Sequence, residues 1–455
     1  MIKPAAFYIP VNLNSKQFPS SMRDYVHYFL NQIHWRTIQW RADQNGFVRL
    51  KHDYLCRFIP KPFIENIREV LLEQGVIAWH KHYLPDSHSY GFHLTPEYQT
   101  TQRVLCDNQR LNRKIARIHK VEICLPVHKW LKNQFEQLTF DLERAKKLIP
   151  KLEQTPLSGQ RSLPEHEYQQ LLLDSAIRLA NKDIWFKVDS YGRVHTPLTS
   201  LVTDLRQCCF MNGQPLVEMD LANSQPLIAA ICGKRFFSSN KKKNHLINKQ
   251  FKRKENPYCV QEIAGLRKKE NQIQNTEEQQ DVRITTSELP FGVEITGISD
   301  ALKVEQKVNN LPLDLLEYLS LCESGEFYES LNCKGMDRAK FKQQLYADVF
   351  FGRGYKPSGV RCEFERRYPS LAYMLQSLKT NSYRHSSHVL QNYEATIFIH
   401  GICGKIMKEK PEVPVFTIHD SLMTTMEYQD YVFDAMMSEF KQLGVHPMIR
   451  EKIQQ

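Results

Sequence analysis

Apolar and polar positions in the first hundred residues follow a helical period and then a strand-like one. The run MRDYVHYFLNQIHW (22–35) repeats at helical spacing. A connector, GFVRLKHDYLCRFI (46–59), leads to PKPFIENIREVLLEQG (60–75), which predicts a helix opened by proline and closed by Gly75. VIAWHKHYL (76–84) and YGFHLTP (90–96) read as two strands joined by the turn-prone PDSHS. Helices followed by a two-stranded ribbon predict a winged-helix-like module over residues 1–100, a layout that docks on DNA and elsewhere on protein. His80, His82, His88 and His93 fall in this ribbon at spacings that suit an exposed strand face better than a zinc site.

Residues 101–186 predict a mainly helical region, with VHKWLKNQFEQLTFDLERAKKLI (127–149) as its clearest periodic element. Further on, LVEMDL (216–221) suits a buried strand, and VFTIHDSLMTT (415–425) is an apolar, β-branched run broken at its centre by His419 and Asp420. Between them, residues 238–290 turn polar and rich in Lys and Gln, as in KKENQIQNTEEQQD, and read as an insertion or linker.

Composition narrows the class. A chain of 455 residues and 53.5 kDa predicts two or three domains. No run approaches the length of a membrane span, and prolines near the amino terminus argue against a signal peptide. Eleven cysteines without a C-x-x-C pair predict reduced thiols, hence a cytoplasmic setting. The net charge of +11 points to a polyanionic partner. Much of that excess lies in residues 234–270, which hold twelve Lys/Arg against three Glu; a second basic stretch is RLNRKIARIHK (110–120). Nothing predicts an obligate oligomer, and a monomer is expected.

The candidate chemistry lies in the two apolar runs and in a helix between them. Asp220 ends the first run just before NSQP and the apolar helix PLIAAI; it could hold a cation there or cap the helix. A carboxylate inside a run such as VFTIHDSLMTT is rare unless paired or metal-bound. A tight hairpin at His419-Asp420-Ser421 would bring Asp420 beside the end of a neighbouring strand, where two aspartates could bridge two Mg²⁺ ions. In MDRAKFKQQLYADVFFGRG (336–354), Arg338, Lys342, Tyr346 and Phe350 recur every four residues, so two cations and two aromatics share a helix face. Such a face could grip a triphosphate and stack on a base, or simply pack an amphipathic helix. Arg193, after Gly192, could touch a nucleic-acid backbone, and Gln391, ahead of Glu394, could reach a minor-groove acceptor or lie on the surface.

In this order, GR, D-x-x-x-S-Q, R-x-x-x-K with following aromatics, Q, and HDS resemble the single-subunit polymerase superfamily, which includes family A DNA polymerases and phage-type RNA polymerases. The resemblance covers residues 187–452. It implies that Asp220 and Asp420 bind the two metal ions and that Arg338 and Lys342 hold the nucleotide phosphates. It further implies that Tyr346 and Phe350 shape the sugar and base pocket, and that Arg193, Gln391 and His419 meet primer and template. Gln225 stands nearest the position of the glutamate that excludes a ribose 2′-hydroxyl in family A DNA polymerases. Gly352 falls one residue late after Phe350, through the extra Phe351.

The expected fold class is therefore α+β: a right-hand palm, fingers and thumb with a small antiparallel palm sheet, plus the amino-terminal winged-helix-like module. The expected divisions are a module at 1–100, a thumb-like region at 101–186, palm at 187–237, an insertion at 238–290, fingers at 291–395 and palm again at 396–455. The expected activity is a compact, exonuclease-lacking DNA polymerase that uses Mg²⁺, a DNA template and dNTPs. A single-subunit RNA polymerase or primase using NTPs is the alternative within the enzyme class. A non-enzymatic winged-helix replication initiator or regulator is the alternative outside it.

Overall fold

The computed structural model describes residues 4–38, 42–43, 45–80, 90–119, 125–154, 163–183, 185–239, 311–332, 335–352, 358–380 and 382–453. His82, His88, the PDSHS turn and nearly all of the 238–290 stretch lie outside the described residues. The chain is a mixture of helices and small antiparallel sheets. It divides into two compact units, one of residues 1–220, 403–432 and 451–455, the other of residues 221–402 and 433–450.

The first unit opens with β1 (Ala6–Pro10) and the long α1 (Ser20–Ile38), followed by β2 (Val48–Arg49), α2 (His52–Cys56) and α3 (Lys61–Glu73). β3 (Ile77–His80) and β4 (Gly91–Leu94) come next, and they form a three-stranded sheet in the order β2-β4-β3. β5 (Thr101–Leu105) returns antiparallel to β1. α1 sits at the centre of this module: Val26, Phe29, Leu30 and Ile33 are fully enclosed, as are Phe58, Ile67 and Leu71 from the α2–α3 segment. Each such side chain contributes roughly 1.5–3 kcal/mol of burial free energy.

After α4 (Gln109–His119) the periodic run at 127–149 is not one element. It forms α5 (Pro126–Gln137), β6 (Thr139–Phe140) and α6 (Leu142–Leu148). The break falls where Thr139 and Phe140 pair with Phe210 and Cys209, and Asp141 then caps α6 by accepting from Arg144 N (2.9 Å). α7 (Glu165–Ala180) packs back on the amino-terminal module. Its Arg178 guanidinium lies 3.8 Å from the Tyr8 ring centre and donates to Asn31 Oδ1 (3.0 Å).

A hairpin, β7 (Lys187–Val188) and β8 (Val194–His195), precedes two single turns, α8 (Pro197–Ser200) and α9 (Thr203–Arg206). The main sheet follows, built from β9 (Cys209–Met211), β10 (Gln214–Leu221), β11 (Phe416–Ile418) and β12 (Ser421–Thr425), with β6 at one end in the order β11-β12-β10-β9-β6. The last strand, β13 (Ile449–Ile453), also pairs with β10. One face of this sheet is covered by Phe135, Leu172, Leu198 and Leu205.

The second unit is helical. α10 (Ser224–Ser239) is enclosed through Leu227, Ile228, Ala229 and Ala230, as a core helix should be, and carries Lys234 and an exposed Arg235 toward its end. Gly233 lets the helix Leu313–Ser324 approach, since a Cβ there would meet Leu315 at 3.0 Å. Tyr318, Phe327, Phe364 and Tyr368 form a buried edge-packed cluster that joins helices Leu313–Ser324, Phe327–Leu331 and Gly359–Arg367.

Candidate functional site

Sheet register sets the acidic pair. β10 runs antiparallel to β12, with Asp220 opposite Ser421. β11 returns into β12 through His419 and Asp420 alone, and Ile418 pairs with Ser421. The turn is made possible by His419, which takes a left-handed φ of 53°. Facing residues of an antiparallel pair lie about 5 Å apart at Cα, so Asp420, one residue before Ser421, is a close neighbour of Asp220. Asp220 is not a helix cap: α10 starts at Ser224, and its first turn closes from Leu227 N–H onto Asn223 carbonyl (2.8 Å).

Glu218 shares the strand face of Asp220, two residues earlier. It is 2% exposed and receives Arg206 Nη1 on both oxygens (3.0 and 2.9 Å) and Ser421 Oγ on one (3.0 Å). That network neutralises a buried carboxylate that would otherwise be costly. On the solvent side, Lys452 Nζ donates to Asp220 Oδ2 (3.0 Å). Asp220 thus faces a cation already, and an oxygen-only pair of carboxylates suits Mg²⁺ over softer metals. Among the described residues no three of His, Cys, Asp and Glu gather into a metal-holding cluster.

The β7–β8 hairpin forms a tight loop around Asp189, which accepts from the backbone N–H of Tyr191 (2.9 Å) and Arg193 (3.0 Å) and pairs with His195 Nε2 (2.8 Å). Burial raises the Asp189 pKa, but these bonds outweigh it and hold the carboxyl below its ordinary value. The His195 ring meets His419 edge-on at 5.7 Å. Burial, then the charges of Arg193, His195 and Arg206, push the His419 pKa down to about 4. Arg193, His419, Asp420 and Asp220 therefore belong to one neighbourhood of the first unit.

Arg338 and Lys342 lie exposed on the helix Arg338–Leu345 of the second unit. The chain then widens into a π turn, Tyr346–Phe350, closed by Phe351 N–H to Tyr346 carbonyl (2.8 Å). The extra residue of that turn absorbs the one-residue delay of Gly352. It also redirects the side chains. Phe350 is fully enclosed and packs on Phe364, so it cannot line an open pocket as expected, and Phe351 is the ring stacked on Tyr346 (5.4 Å, 16°). A Cβ at Gly352 would collide with the Ala347 carbonyl oxygen, which explains the glycine.

Tyr328 was not singled out by any sequence pattern, yet it organises this face. Its hydroxyl bonds that of Tyr346 (2.8 Å), while Arg338 (5.2 Å) and Lys342 (5.6 Å) lie over its ring. Arg338 also pairs with Glu329 (2.6 Å). Gln225, on α10, donates to the carboxylate of Glu394, which is buried on the helix His385–Ala395 one turn after Gln391. No position inside a single segment foretold either contact.

No family model matches the chain, and no curated protein matches it. Among solved structures it is similar to the POL domain of Pol1 from M. smegmatis in complex with DNA primer-template and dNTP. The TM-score is 0.35 and the identity 10%, over 75% of this chain and 72% of that one. A likeness at that level assigns no role to any residue.

Proposed function

We propose that this chain is a template-directed nucleotidyltransferase that acts as a DNA polymerase. One observation carries the reading: Asp220 and Asp420, distant in sequence, are neighbours at one end of a sheet, and Asp220 faces a cation. The order of motifs around them supports it. Bound Mg²⁺ ions would align a 3′-hydroxyl with a triphosphate and offset the charge of the leaving pyrophosphate.

The chain's own groups would do the positioning. Asp220 and Asp420 supply the anionic oxygens that hold the metal ions. Arg338 and Lys342 take the triphosphate oxygens, with Tyr346 and Phe351 as the aromatic surface beside them. The Tyr346 hydroxyl is engaged by Tyr328 and Phe351 has none, which favours dNTPs over NTPs because neither ring offers a ribose 2′-hydroxyl a partner. Arg193 and Gln391 would contact primer and template, and a neutral His419 braces the turn that carries Asp420. The order α1-β2-α2-α3-β3-β4 and the β2-β4-β3 sheet support a winged-helix-like reading of the amino-terminal module, and the helices of 101–186 a thumb-like one.

The test is extension of a labelled primer with dNTPs or NTPs, with and without template and primer, by the wild type and by Asp420→Asn. Templated dNTP addition that vanishes in the variant, with DNA binding retained, is the expected result. A variant retaining a few per cent of activity would overturn the assignment.

A further inference from the structure

α3 holds the place at which a winged-helix module enters a DNA groove, and its exposed stripe has the wrong sign. Glu65, Glu69 and Glu73 recur every four residues and are all exposed. Lys61 alone heads that stripe with a positive charge, and the one arginine of α3, Arg68, is drawn onto Trp79 (5.2 Å) and Tyr90 (5.6 Å). Three carboxylates along a helix repel a phosphate backbone.

The opposite holds on α4. Arg110, Arg113 and Arg117 are exposed at spacings of three and four, hence on one face, and none makes an ion pair among the described residues. The helix is held rigidly behind them. Leu111 is fully enclosed, Asn112 Oδ1 accepts from Ala5 N (2.8 Å), and Asn112 Nδ2 donates to Cys106 carbonyl (2.8 Å). Lys114 Nζ donates to Phe58 carbonyl (3.2 Å), which sets the row beside the α2–α3 turn with its exposed Arg57 and Lys61.

We propose that the amino-terminal module grips duplex DNA by its phosphates through the α4 arginine row and not by inserting α3. The row spans about 10 Å at 1.5 Å per residue, a length that matches about three phosphates of one strand. A membrane is disfavoured because the apolar side of α4 is already spent on the module core, leaving no face to insert among lipid tails. An acidic protein is disfavoured because the row lacks the aromatic or aliphatic anchors that carry such interfaces. The proposal rests on the DNA-handling reading above and names the surface that serves it.

The experiment measures binding of the full chain to a labelled random-sequence duplex by fluorescence anisotropy across a salt series. R110Q/R113Q/R117Q should lower the slope of log K against log salt by about 2.7, at about 0.9 per lost phosphate contact. R110K/R113K/R117K should keep most of the slope, and E65Q/E69Q/E73Q should change affinity by less than about twofold. An arginine variant with unaltered slope overturns the proposal, as does a glutamate variant whose binding tightens more than the arginine variant weakens. Loss of binding to phosphatidylserine vesicles with DNA binding unaltered overturns it too. Because no incorporation is read, a chain that failed to add nucleotides would sink the polymerase reading and leave this result standing.

Discussion

Lys452 Nζ lies 3.0 Å from Asp220 Oδ2 and 4.0 Å from Glu218 Oε1. Its ammonium comes from β13 and sits against a carboxylate that we propose as a metal ligand. Glu218 is already neutralised by Arg206, so the lysine answers chiefly to Asp220.

Lys452→Met should therefore lower the Mg²⁺ concentration for half-maximal incorporation. The lysine side chain is 44% exposed, so solvent limits the pair to less than about 1 kcal/mol, a shift of up to about fivefold. Metal titration of primer extension reads it directly. An unchanged or raised requirement would mean that the ammonium does not compete with the ion.

Lys342→Ala should raise the apparent KM for dNTP with little loss of fold, because the side chain is exposed and its ammonium lies over the Tyr328 and Tyr346 rings. Loss of one charge-assisted phosphate contact corresponds to about 1.5–3 kcal/mol, or about 10- to 150-fold. Tyr328→Phe removes only the hydroxyl that engages Tyr346 and should produce a smaller rise. Steady-state extension at varied dNTP separates them, and equal effects would argue that the tyrosine pair merely packs.

The strands and the turn that carry Asp220 and Asp420 were legible in the residues, and other parts were not, for physical reasons that differ by element. An acid inside a β-branched run is costly unless paired or metal-bound, and a tight hairpin at His419-Asp420-Ser421 relieves that cost, which is what β11 and β12 form. The capping alternative for Asp220 was local chemistry, and sheet register overrode it. Phe350 was misplaced because a four-residue spacing assumes an α-helix, and the π turn breaks that assumption. Tyr328, Lys452 and the Arg206–Glu218 pair were invisible because each meets its partner through tertiary packing. The break at Leu138 escaped a helical period that continues on either side of it.

His419 makes a pH-dependent contribution of definite sign. Its folded pKa is depressed to about 4 from an ordinary 6.5. The unfolded chain therefore takes up a proton first, so the stability contributed is complete above about pH 6.5 and is lost as pH falls toward 4. His419→Asn, whose side chain tolerates the left-handed φ of 53°, should flatten that acid limb in denaturant titrations. His419→Ala should flatten it too, at an added cost of about 1 kcal/mol for the backbone. An acid limb unchanged in the Asn variant would place the titration elsewhere.

Asp174 should show the opposite slope. It is 1% exposed on α7, with Oδ2 at 3.4 Å from His34 Nε2 of α1, and it lines a cavity of about 100 Å³ with His34, Thr37 and Leu171. Burial raises its pKa to about 7, only partly opposed by hydrogen bonds from Gln170 (2.9 Å) and Thr101 (3.4 Å) and by the charge of Arg178. The same burial drives the His34 pKa far down, so the histidine is neutral and offers the carboxylate no countercharge. A raised acid binds its proton more tightly folded than unfolded, so its contribution is complete below about pH 3.8 and is lost as pH rises through about 7. Asp174→Asn keeps the shape and removes the proton. The variant should gain stability relative to wild type as pH rises from about 4 to about 7, with no further gain above it. Urea titrations at pH 5, 6, 7 and 8 decide the matter: a difference that stays flat across that range would mean that Asp174 is ionised in the folded chain, and that His34 or Arg178 neutralises it after all.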